Sequence, residues 1–212
     1  INYINNSSKE NFMVNIVENI KIKKDSSLKN ILINNSKCNG YFYKYLKSDL
    51  EKNSNFENYL LSSGLKFSKL DIEINLNEQN SNSSVFSALN LMNNEHQEIK
   101  TRINHNNPHC HSYQKIKNVL NNESKGVYQG KIFVKNTAQK TDAYQLSKAL
   151  ILNDAAEFDA KPELEIYADD VKCSHGSTSG SIDLNLIHYL RSRGIAEKEA
   201  YQMLINGFLC EI

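Results

Sequence analysis

The sequence contains no tryptophan, two prolines and eight glycines in 212 residues, and no apolar run near the ~18 residues that a membrane helix requires. The missing run predicts no membrane insertion. Scarce proline and glycine argue against a sandwich built on tight hairpins, whose turns draw on those residues. Charge of one sign is lacking too, since 25 Lys and Arg stand against 24 Asp and Glu for a formal charge of +1. That balance argues against a broad nucleic-acid footprint and against an acidic tail. The short run Lys21-Ile22-Lys23-Lys24 reads as a solvated strand end. The four cysteines, Cys38, Cys110, Cys173 and Cys210, lie far apart with no CxxC pair. This is the usage of a reduced, intracellular protein rather than a disulfide-stapled one. Ile1-Asn2-Tyr3-Ile4 shows neither an initiator methionine nor a basic leader, so the chain is expected to be a fragment or processed product.

What the sequence does have is asparagine, 30 residues of it, often in pairs such as Asn34-Asn35, Asn93-Asn94 and Asn121-Asn122. AT-rich codon usage is one reading; tolerance of left-handed turns is another. Between these pairs lie short β-type runs, among them Ile31-Leu32-Ile33, Tyr41-Phe42-Tyr43, Ile132-Phe133-Val134 and Leu164-Glu165-Ile166-Tyr167. Leu70 to Leu76 alternates strictly, the period of a half-buried strand. Between Met13 and Ser181 only Ser112 to Asn121 has spacing suited to a helix. Many short strands without intervening helices predict an all-β body. A β-solenoid bending at Asn, Ser and Asp corners suits the composition, but periodicity alone leaves solenoid and sandwich open.

The pattern changes at Asp183, a good N-cap followed by Leu184, Ile187 and Leu190 at helical spacing. Arg191 and Arg193 suit the last turn of that helix, and Gly194 suits the position after it. A second helix from about Ala196 is expected to bury Ala200, Met203, Leu204 and Phe208. Residues 183–212 therefore read as a helical hairpin after a β body of residues 1–182.

Few residues promise chemistry. Gly126-Val127-Tyr128-Gln129-Gly130-Lys131-Ile132 is one residue short of a phosphate-binding loop and ends without the hydroxyl that holds Mg²⁺. It reads as a turn entering the strand Lys131–Val134. No HExxH or GxSxG occurs. His109-Cys110-His111, with His105 and Pro108 nearby, would place both flanking histidines on one face if extended. Without a second ligand pair it is a weak zinc candidate. In Cys173-Ser174-His175-Gly176, an extended chain would put Cys173 and His175 on one side, about 7 Å apart at Cα. A soft sulfur beside an imidazole suits iron or sulfur chemistry, yet two ligands cannot hold a metal alone.

Three blocks occur in order: Ala138-Gln139-Lys140-Thr141-Asp142-Ala143-Tyr144-Gln145 after Gly130-Lys131-Ile132-Phe133-Val134, then Lys161 to Gly176 (KPELEIYADDVKCSHG), then Tyr189-Leu190-Arg191-Ser192-Arg193-Gly194-Ile195. Together they resemble the C-terminal half of the SufB/SufD family, the scaffolds of Suf iron–sulfur cluster assembly. Leu190 stands where SufB members carry a cysteine. Cys173-Ser174-His175-Gly176-Ser177 stands where they carry a Glu-His-Glu-Ala type segment. The likeness is therefore to SufD. It implies a right-handed parallel β-helix followed by a short C-terminal helical segment, with the family's N-terminal helical domain absent here. It also implies a non-enzymatic scaffold paired with a SufB-type partner through the β-helix ends. A SufC-type ABC ATPase would dock on the helices, whose apolar stripe is Leu184, Ile187, Leu190, Met203 and Leu204. His175, and with less weight Cys173, would assist a transient iron–sulfide cluster at the partner interface, with no cofactor held stably by this chain. The implied compartment is intracellular, a bacterial cytoplasm or the stroma of a plastid-like organelle such as the apicoplast.

Two alternatives compete with this reading. A SufB-like or homodimeric scaffold is disfavoured by Leu190. A β-helix carbohydrate-active enzyme is disfavoured because Asp169-Asp170 is the lone adjacent acidic pair, and adjacent residues point to opposite faces. Ser177, Ser179 and Ser181 stand where the family has small or apolar residues, and Ala196 stands where it often has a Ser or Thr cap.

Overall fold

The computed structural model describes residues 12–212. Ten strands come first: β1 (Phe12–Ile22), β2 (Ser27–Leu50), β3 (Asn55–Leu76), β4 (Asn82–Leu91), β5 (His96–His105), β6 (His111–Leu120), β7 (Lys125–Val134), β8 (Asp142–Ile151), β9 (Glu157–Ile166) and β10 (Lys172–Gly180). Two helices follow, α1 (Leu184–Ser192) and α2 (Glu197–Leu209). Among the described residues every strand pairing is parallel. One face stacks β10, β8, β6 and β4 onto the first half of β3, and the other stacks β9, β7 and β5 onto its second half. This is a parallel β-solenoid. The sandwich, left open by periodicity, is excluded because among the described residues no hairpin pairs neighbouring strands.

The alternation of Leu70 to Leu76 holds. Leu70, Ile72, Ile74 and Leu76 are buried while Asp71 and Glu73 lie on the wetter face. In-register stacking repeats such residues rung after rung, as in the column Ile22, Leu50, Leu76, His105, Val134. Each such side chain is removed from water by those above and below it.

Asparagine has a structural use at the corners. Asp25, Asn53, Asn80, His109 and Lys140 all have φ between 58° and 60° except Asn53 at 55°, and they succeed one another along one edge. Backbone N–H groups of Asn53, Asn80 and His109 each donate to a carbonyl on the next turn. Asn80 Nδ2 donates to Asn53 Oδ1 at 3.2 Å, and Asn53 Nδ2 to Asp25 Oδ1 at 2.8 Å. Asn93 and Asn122 take the same left-handed conformation at a second corner. Asn occupies that region at less cost than other side-chain-bearing residues and can also bond its neighbours.

Three expectations are corrected. Ser112 to Asn121 is not helical but lies in and just beyond β6; its misleading spacing arises because the outward Lys117 and Val119 are buried where α2 crosses the strand. Gly126 to Lys131 is no turn, because β7 runs straight from Lys125 to Val134. His109 sits in a left-handed corner, which breaks the alternation that would have aligned it with His111.

The helical end follows its caps. Asp183 Oδ1 accepts from Asn185 N at 2.8 Å, Gly194 takes φ +87°, and Ala196 precedes α2 with no side-chain cap. Ile187 and Ala200 are buried, whereas Leu184 is 69% and Met203 51% exposed. Met203 is expected inside, but α2 leaves it half in solvent. Among the described residues no helix is long and apolar enough to cross a membrane.

Candidate functional site

The solenoid ends on β10, which pairs with β8 on one edge and, among the described residues, with no strand on the other. Cys173 lies in register with Ala143 and His175 with Gln145. Ala143 and Gln145 both face the core, so Cys173 and His175 share one face of the strand. The sequence paired these two residues, and the structure brings them together. His175 is exposed; Cys173 is half-buried against the cluster of Ile132, Val134 and Ala143. Burial, and secondly the Asp142 carboxylate, push the Cys173 thiol up to about 11. At neutral pH it is therefore a protonated thiol, and a cation or metal must draw off its proton before it ligates. Ser177, a departure from the family pattern, is hydrogen-bonded to Ser147 Oγ at 2.9 Å and extends the same face.

Beneath His175 lies a polar bridge that sequence reasoning missed. Gln145 is buried, and its Oε1 accepts from Tyr128 Oη at 3.2 Å; Tyr128 also reaches Gln114 Oε1 at 3.2 Å, and Thr101 Oγ1 donates to that same oxygen at 2.5 Å. The bridge crosses the interior from β5 and β7 on one face to β6 and β8 on the other. Burial pushes the Tyr128 phenol upward, so it stays a neutral donor. Gly130 makes room, since a Cβ there would overlap Tyr128 Oη and Gln145 Oε1. The available signal was the presence of Gly130 and Gln145 in the quoted blocks. Gln at a core-facing position gives no periodic signal of its own.

The His109-Cys110-His111 candidate does not form a site. Cys110 is buried against Ser81 Oγ at 3.3 Å, with burial raising its thiol. His105 is buried and contacts Ser112 Oγ at 2.9 Å, while His109 and His111 are exposed. Among the described residues no three His, Cys, Asp or Glu side chains stand close enough to hold a metal. Of the apolar stripe, Leu184 and Met203 are exposed, Ile187 is buried, and Leu190 and Leu204 lie between. The stripe is thus split between the interior and solvent.

Residues 1–208 match a family model described as SUF system FeS cluster assembly, SufBD core domain. The iron–sulfur cluster assembly protein SufD of Escherichia coli is 43% identical over 137 residues, 65% of this chain and 32% of that protein. An iron–sulfur cluster assembly SufBD family protein of Synechocystis is 34% identical over 149 residues, 70% of this chain and 33% of that protein. The chloroplastic protein ABCI7 of Arabidopsis thaliana is 26% identical over 202 residues, 95% of this chain and 42% of that protein. The chain therefore spans about a third to two fifths of the length of these relatives.

Proposed function

The chain belongs to the SufBD core family of the SUF iron–sulfur cluster assembly system and is of the SufD type; from that premise we propose that it is a non-enzymatic scaffold subunit, paired with a SufB-type partner and a SufC-type ABC ATPase. The observation that carries this reading is the terminal strand β10, with one edge unpaired among the described residues and with Cys173 and His175 on one face. An unpaired strand edge is a template for a second chain. A partner seated there completes a ligand set of which this chain supplies two members. Iron and sulfide are the cargo; His175 ligates iron or passes a proton to sulfur, and Cys173, held protonated, takes the lesser part.

The ATPase docks on the hairpin. Leu184, Leu186, Tyr189 and Met203 are exposed there, and apolar side chains left in water at such density mark a contact surface. Nucleotide hydrolysis belongs to that partner. A compartment shared with bacterial and chloroplastic relatives, bacterial cytoplasm or plastid stroma, fits the free thiols of Cys110, Cys173 and Cys210.

Co-expression of the chain with SufB-type and SufC-type proteins, followed by native mass measurement, tests the reading. A complex holding all three is expected, and a chain ending at residue 182 should keep the SufB-type partner and lose the ATPase. A chain that associates with neither partner contradicts the scaffold assignment, and a truncation that retains the ATPase contradicts the docking site.

A further inference from the structure

The C-terminal hairpin touches the solenoid in an unusual way for two packed elements. Lys117, on the outward side of β6, has a side chain only 1% exposed, and its Nζ donates to Glu211 Oε2 at 2.5 Å and to the Phe208 carbonyl at 2.6 Å. The same ammonium lies 4.4 Å from the centre of the Phe208 ring. Two residues earlier on the same side, Lys115 Nζ donates to the Glu211 carbonyl at 2.8 Å and lies 3.4 Å from Glu211 Oε2. Among the described residues the hydrogen bonds and ion pairs joining hairpin to solenoid converge on these two lysines. Lys148, in register with Lys117 on β8, adds a third positive charge that Glu211 must offset.

On either side of this contact the helix stands off the sheet. A hollow of about 550 Å³ lies between Asn90, Met92 and Leu152 and the α2 residues Lys198, Tyr201 and Ile205. A second, of about 560 Å³, lies between Ile33, Leu61 and Ala88 and the residues Asn206, Leu209 and Ile212. An element seated by close apolar packing leaves few voids larger than a water molecule. Here one charge cluster, with Lys117 buried and Glu211 at the surface, is flanked by two open spaces.

We propose that the α1–α2 hairpin is held by a releasable ionic latch, Lys117 and Lys115 against Glu211 and the carboxyl end of α2, and that it detaches from the solenoid as one body. The solenoid keeps its own rungs when the latch opens, because β6 is held to β4 and β8 by parallel backbone pairing, while its bonds to the hairpin run through the Lys115 and Lys117 side chains. Opening rehydrates Lys117, whose charge burial disfavours, and so recovers part of what the broken pairs lose. The latch is independent of the docking assignment and concerns this chain alone.

Amide hydrogen exchange on the 212-residue chain tests it. Raising NaCl to 1 M shortens the screening length to about 3 Å and should speed exchange throughout α1 and α2 while β6 and β8 stay protected. Glu211→Gln should reproduce this acceleration at low salt, on the order of tenfold. Replacing both latch lysines, Lys115→Met with Lys117→Met, which keeps an apolar stem against Phe208, should make hairpin exchange insensitive to salt. Salt-insensitive hairpin protection in the wild type, or acceleration that spreads equally into the β rungs, overturns the proposal. The wild-type salt series decides the matter even if Glu211→Gln fails to fold.

Discussion

Mild acid should loosen the solenoid, because His105 cannot take up a proton in place. The ring sits in the interior column between Leu76 and Val134, fully buried, with Nε2 against Ser112 Oγ at 2.9 Å and Nδ1 without a partner. Burial chiefly, and the nearby His111 secondarily, push its pKa from 6.5 down to about 3. The unfolded chain binds a proton here below about pH 6.5, and the folded chain declines it until about pH 3. The stability that the neutral ring contributes is therefore fully present above pH 6.5 and is lost progressively as pH falls toward 3. At pH 5, some one and a half units into that window, the loss is about 2 kcal/mol at 1.36 kcal/mol per unit. Urea unfolding of the wild type and of His105→Gln between pH 5 and 7.5 isolates the effect, since glutamine keeps a polar contact for Ser112 without titrating. Carboxyl groups held low by lysines, such as Glu51 and Glu165, titrate below this range. The wild type should lose about 2 kcal/mol relative to the variant over that range; parallel pH curves would refute the reasoning.

Gly130→Ala should destabilise the fold by about 1–3 kcal/mol in urea, because the new methyl group overlaps Tyr128 Oη and Gln145 Oε1; an unchanged midpoint would mean the polar bridge has slack. At the corner, Asn80→Ala should cost about 1 kcal/mol and Asn80→Gly much less, the left-handed φ of 60° being the cause. Alkylation of Cys173 should be slow at pH 7.5 and accelerate up to about pH 11, and Asp142→Asn should move that profile to lower pH; a thiol that reacts fully at pH 7.5 would contradict its placement.

Much of the architecture was legible in composition and period, though unevenly. Alternation in Leu70 to Leu76 located a strand, and Asp183 and Gly194 located both ends of α1. Solenoid and sandwich shared these local signals, since period two reports one buried face and is silent on which strand stacks beside it. The asparagines held a stronger clue than codon usage: Asn53 and Asn80, 27 residues apart in number, occupy successive corners of one ladder. The error at Ser112 to Asn121 has a tertiary cause, because α2 covers the outward side of β6 and erases its polar face. Met203 misled in the opposite sense, as an apolar residue that α2 leaves in solvent. At the site, Cys173 and His175 were visible as a two-residue pattern. Gln145 and Tyr128 were not, because a polar side chain at a core position is satisfied by partners distant in sequence.

The most direct test of the scaffold role is the iron and acid-labile sulfide content of the co-purified complex carrying His175→Ala. His175 is exposed on the terminal strand β10, so its loss should leave the melting temperature and both partners in place while iron and sulfide fall at least tenfold. Normal iron and sulfide in an intact His175→Ala complex would contradict the account.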